Sequence, residues 1–121
     1  MNVATFNGIH NNTKARVFIY LAMCKHSVGL ADIERYTGDD YYSLAVLLGR
    51  WSRWGYVKRW LLYGKSYYTY SLSPRGRRFL TYVPFDLLQS LANEVNSRLY
   101  SRGINAYVAV DRLNKILKKY W

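Results

Sequence analysis

The chain has 121 residues, half of them hydrophobic, which suits one folded domain with a real core and argues against a wholly disordered chain. Eighteen Lys and Arg against seven Asp and Glu give a net charge of +11 and a pI near 9.9, a balance that points to nucleic acid, an acidic protein or an anionic membrane surface as partner. The single cysteine, Cys24, excludes an intramolecular disulfide framework; with no spanning-length apolar run and no signal-peptide pattern at the N-terminus, a cytoplasmic protein is expected.

Residues 1–12 are polar and rich in Asn, and are expected to form a loose arm. Thr13 is placed to cap a helix from about Lys14 to Lys25, with Val17, Phe18, Leu21 and Ala22 as its buried stripe. His26-Ser27-Val28-Gly29 breaks it. A short helix at about Leu30 to Tyr36 follows, and Thr37-Gly38 ends it with a left-handed glycine cap. Asp39 or Asp40 then caps a third helix, about Tyr41 to Trp54, whose inner stripe is Leu44, Leu47, Leu48 and Trp51.

After Gly55 the pattern changes from helical to alternating. Tyr56 to Tyr63 and Ser66 to Leu72 read as two strands joined by a Gly64-Lys65 turn. Tyr68, Tyr70 and Leu72 share one face, and Tyr67, Thr69 and Ser71 the other. Ser73-Pro74 starts a fourth helix, serine as cap and proline in the first turn, anchored by Phe79 and Leu80. Past Pro84, a helix from Phe85 to about Ser101 carries the seam Leu88, Leu91, Val95 and Leu99. Gly103 ends it. A last helix, capped by Asn105 and running to about Tyr120, carries Val110, Leu113, Ile116 and Leu117.

Charge is concentrated between Tyr41 and Phe85. That stretch holds eight basic residues, eight tyrosines and three tryptophans, and no acid. A one-signed field interleaved with aromatic rings is what a phosphate backbone selects.

The order helix, short helix, turn, helix, hairpin resembles a winged helix-turn-helix. Gly29 to Gly38 resembles its second helix and turn. Leu44, Leu48, Trp51 and Gly55-Tyr56-Val57 resemble its recognition helix and the start of its wing. Tyr70-Ser71-Leu72-Ser73-Pro74-Arg75-Gly76-Arg77-Arg78-Phe79-Leu80 resembles the second wing strand and following helix of MarR-like and PadR-like regulators. The fold class expected is therefore mainly α with a small β-hairpin (α+β), a winged helix over residues 13–83 and a two-helix extension over 84–121.

The resemblance implies a double-stranded-DNA-binding protein, a dimeric transcriptional regulator, with the Tyr41–Trp54 helix in the major groove. Burial of the inner stripe leaves Tyr41, Tyr42, Ser43, Ala45, Val46, Gly49 and Arg50 facing out. Tyr41, Tyr42 and Ser43 are the expected readers in the first turn; Ala45 and Val46 suit a thymine methyl, and Arg50 and Arg53 suit phosphate. Lys58, Arg59 and Lys65 make the wing cationic, and Tyr67 is placed to pack along a sugar. Arg75, Arg77 and Arg78 are placed for flanking phosphates or for ion pairs with Asp86 or Glu94. In such regulators added terminal helices make the dimer, so Leu88, Leu91, Val95, Leu99, Val110, Leu113, Ile116 and Leu117 are its expected contacts; the alternative is that both helices fold back on their own domain as an extra core layer. Two-fold symmetry then sets two reading helices about 34 Å apart on an inverted repeat.

One departure stands at the start of the reading helix. Asp39 and Asp40 occupy positions where many relatives carry hydroxyl or basic residues. One caps the helix; the other repels phosphate or accepts from a cytosine amino group. Expectation there shifts from base readout towards phosphate and shape.

Other readings of the same residues are weaker. Trp51 belongs to the core, with Trp54 and Trp60 half-buried at the wing base. Stacking by Tyr67, Tyr68 or Trp60 would suit single-stranded nucleic acid. Cys24, His10 and His26 form no metal-ligand set, and no nucleophile-base pair or phosphate loop is present, so neither an enzyme nor a cofactor is expected. A protein-interaction module is the alternative from another class, favoured by Ala45, Val46, Gly49 and the two aspartates. A membrane-surface role is the most distant reading.

Overall fold

Gly38 and Gly55 are the positive-φ residues of the described chain, at φ 77° and 83°, and each lies just past the end of a helix. Both conformations are inexpensive only for glycine. Gly38 donates its backbone N–H to Glu34 O, a left-handed cap as the sequence suggests. The computed structural model describes residues 9–61, 67–101 and 115. Along them run α1 (Ile9–Met23), β1 (Val28–Gly29), α2 (Leu30–Thr37), α3 (Tyr41–Arg53), β2 (Val57–Leu61), β3 (Tyr68–Leu72), α4 (Pro74–Thr81) and α5 (Phe85–Ser101). The fold is mainly helical with a small antiparallel sheet.

Helix α1 starts at Ile9, ahead of the expected Thr13 cap, so residues 9–12 are helical and not part of an arm. Its second half has no solvent face. Ala15 and every residue from Val17 to Met23 are buried, enclosed by α2, α4, α5 and β3. A helix apolar on all sides belongs at the centre of a fold. The expected stripe was therefore only part of its buried surface.

The sheet has the order β1-β3-β2. Its first strand, Val28–Gly29, lies in the segment expected only to break the helix. It pairs Val28 with Tyr70 and Gly29 with Thr69. This covers one edge of β3, and Thr69 closes the contact by donating to Ser27 Oγ at 2.9 Å. The β2–β3 register runs from Val57↔Leu72 to Leu61↔Tyr68. It is symmetric about Gly64-Lys65, the expected turn, which lies outside the described residues.

Ser73 fixes the exit from the sheet. Its hydroxyl donates to the Gly55 and Tyr56 carbonyls and accepts from Gly76 N–H, capping α4 behind Pro74. Gly76 sits so close that a Cβ there would collide with the Tyr56 carbonyl and the Leu72 side chain.

Helix α5 packs against α1 and α2. Leu88, Leu91, Val95 and Leu99 are all buried in this chain's own core. For α5 this is the fold-back alternative and not the dimer contact. A seam already closed by its own chain is not available to a second copy. The remaining expected dimer contacts, Val110, Leu113, Ile116 and Leu117, lie outside the described residues. Of the expected last helix only Lys115 is described, exposed and helical.

Candidate nucleic-acid interface

Helix α3 is seated by Leu44, Leu48 and Trp51, all buried. Trp51 meets Phe18 of α1 edge-on at 5.2 Å between ring centroids. Leu47 is only half-buried, so the inner stripe is narrower than the spacing predicts. This anchoring turns Tyr41, Tyr42, Ser43, Ala45, Val46, Arg50 and Arg53 outward, all exposed. Tyr42 is 78 % exposed and packs edge-on against Tyr41.

The N-terminus of α3 is closed by carboxylates. Asp40 is the cap and accepts from Ser43 N–H at 2.9 Å. Glu34 of α2 accepts from Tyr41 N–H at 3.0 Å. Helix N-termini often hold anions through free N–H groups, and here two of those groups are occupied. Side chains therefore carry more of any contact at this end than backbone N–H groups do. Glu34 was not singled out by the sequence, because its partner lies beyond the Gly38 turn.

Asp39 has a different fate. Arg16 of α1 donates to its Oδ1 at 2.8 Å, and the pair is largely shielded from water. The same guanidinium lies 3.2 Å from Glu94 of α5. The acid expected to repel phosphate is thus neutralised from behind by a residue of another helix. Glu94 is also engaged by Arg16, not by the α4 arginines expected as its partners. No ion pair joins Arg75, Arg77 or Arg78 to Asp86 or Glu94 among the described residues.

Strand alternation separates two neighbouring cations. Arg59 pairs with Tyr70 and Lys58 with Ser71, so their side chains leave opposite faces of the sheet. Arg59 faces α3. Its guanidinium carbon lies 4.3 Å from the Tyr68 ring centroid. Burial raises the pKa of the neighbouring Tyr70 hydroxyl, and the Arg59 charge partly offsets that rise. Lys58 is on the other face with Trp60, whose indole N–H donates to Ser71 Oγ at 3.2 Å. The two basic residues therefore do not make one clamp. Trp54 and Trp60 are 55 % and 51 % exposed, at the open end of the half-burial expected.

Between α3 and the sheet runs a groove of about 790 Å3, lined among others by Tyr41, Ala45, Arg59, Tyr67, Tyr68 and Asp32. It brings together four of the expected contacts, Tyr41, Ala45, Arg59 and Tyr67. Tyr42, Ser43, Val46, Arg50 and Arg53 do not line it. Lys65 lies outside the described residues. Among the described residues no group of His, Cys, Asp and Glu could hold a metal ion, and no helix is long and apolar enough to cross a membrane. No protein-family model matches the chain, and neither does any curated protein or solved structure.

Proposed function

We propose that the chain is a winged helix-turn-helix protein that binds double-stranded DNA, a transcriptional regulator by function. The observation that carries this reading is the outward face of α3. Tyr41, Tyr42, Ser43, Val46, Arg50 and Arg53 are exposed on a firmly anchored helix in a stretch without acids. Neither arginine has an ion-pair partner among the described residues. The element order α1, β1, α2, α3, β2, β3, α4 and the three-stranded sheet support the winged-helix assignment.

In this reading α3 enters the major groove. Tyr42 and Ser43 meet base edges or phosphates through their hydroxyls, and Val46 meets a thymine methyl. Arg50 and Arg53 hold the backbone at the far end. Arg59, stacked on Tyr68, receives a phosphate along the groove beside α3, and Lys65 extends the contact from the hairpin tip. With two N-terminal N–H groups of α3 occupied and no amide side chain on the helix, affinity rests mainly on phosphates and DNA shape. A two-fold partner, which such a regulator needs for an inverted repeat, would be held by the 110–117 stripe and not by α5.

Selection from random duplex DNA tests the reading. Enriched sites are expected, and Tyr42→Ala is expected to change the preferred sequence while Lys65→Ala weakens all sequences about equally. If both variants select and bind like the parent, α3 and the hairpin are not the docking face. The second reading is a protein-interaction module. The exposed Val46, Trp54, Trp60 and Leu61 favour it. A stable stoichiometric protein partner, together with no binding to duplex DNA, would select it.

A further inference from the structure

We propose that Arg75 and Arg78, with Lys14 adding its charge from the neighbouring ring cluster, form a second site, for a phosphate group, where α1 meets α4. The site is separate from the exposed face of α3 and does not depend on the DNA reading.

The argument starts from crowded positive charge. Lys14 Nζ lies 3.7 Å from the Tyr56 ring centroid and 4.3 Å from that of Phe79. The Arg75 guanidinium carbon lies 4.8 Å from the same Tyr56 ring. Two cations therefore share one aromatic ring. No carboxylate pairs with Lys14, Arg75 or Arg78 among the described residues. Burial pushes the Lys14 pKa down, and the Arg75 charge pushes it the same way, while Tyr56 opposes both. A ring quadrupole offsets only part of such repulsion. An anion would relieve it in full.

Two of the three cations are positioned by contacts, Lys14 against the Tyr56 and Phe79 rings and Arg75 against backbone, while Arg78 stands exposed on the groove. Arg75 is fixed by donating to the Trp54 carbonyl at 2.6 Å. The close approach at Gly76 and the Ser73 cap lock α4 against Tyr56. Beside them lies a groove of about 400 Å3 lined by Tyr56, Arg75, Arg78, Phe79 and Tyr82. The two guanidinium forks that line this groove match a multiply charged, multi-oxygen anion better than a single carboxylate, and Lys14, on the shared Tyr56 ring but not in the groove lining, adds to the positive field. Tyr82, 69 % exposed on the rim, offers a ring face to a sugar or base carried by that phosphate.

Two sources could present such a group, a nucleic-acid backbone or a small phosphorylated molecule. The test titrates the full chain with pyrophosphate at constant ionic strength, read by amide NMR, with acetate as control. Arg78→Gln removes a side chain that makes no hydrogen bond or ion pair among the described residues. Lys14→Met removes a charge but keeps the apolar stem against Phe18, Tyr56 and Phe79. Saturable shifts confined to Tyr56 and residues 75–82 are expected, with affinity falling about fivefold or more in each variant. If duplex affinity falls as well, the backbone is the source; if it is unchanged, a small phosphorylated ligand is. Shifts spread evenly over all basic residues, equal binding of acetate, or parental affinity in both variants would overturn the site.

Discussion

At the scale of single residues, Arg16 does the most to decide what the α3 end looks like to a polyanion. It lies between Asp39 and Glu94 and neutralises Asp39, one of the two acids that precede α3. Arg16→Met should leave that acid unpaired and partly buried. A loss of about 1–3 kcal/mol in urea unfolding is expected, together with weaker duplex binding under conditions where the variant is fully folded. Unchanged duplex affinity would show that Asp39 lies away from the DNA. None of this was legible in the sequence. Asp39 could be read as a candidate cap, but a partner on a helix far upstream leaves no local pattern. A cap at Asp39 or Asp40 was legible because capping is local: the donor that Asp40 accepts from, Ser43 N–H, lies three residues on.

At the scale of elements, the position of α4 relative to the sheet depends on one missing side chain. Gly76→Ala is expected to destabilise by about 1–3 kcal/mol, because the added Cβ meets backbone that cannot yield cheaply. Thermal unfolding checks it; a neutral result would mean that α4 is free to shift. The sequence shows a glycine in the first turns of a helix, but not what it faces. Strand β1 was missed for a related reason. Two residues are too few to show an alternation, and Val28–Gly29 becomes a strand only because β3 offers it an edge. Helices α2, α3, α4 and α5 were legible, since each has a cap, a breaker or an apolar period of its own. The separation of Lys58 from Arg59 was legible in principle from the alternation of the strand. Grouping them by charge alone hid it.

At the scale of the whole molecule, α5 completes the core around α1. Its seam has the spacing of a dimer interface, and periodicity cannot distinguish a partner in another chain from one in the same chain. Burial decides between them. Leu91→Ala is expected to cost about 2–5 kcal/mol, with a melting temperature that does not depend on protein concentration. A concentration-dependent melt restored to parental stability at high concentration would place Leu91 between two chains instead.

The charge of the molecule is also distributed less evenly than its sequence suggests. Asp39 is neutralised from behind, Glu34 and Asp40 close a helix end, and the cations of the central stretch divide between α3, two faces of the sheet and α4. The proposed DNA binding through this surface would release counterions. The most direct test is the affinity for duplex DNA measured across a range of salt concentrations. With about four or five phosphates neutralised by α3 and the hairpin, log affinity should fall against log salt with a slope near −4. A slope near zero would contradict the account.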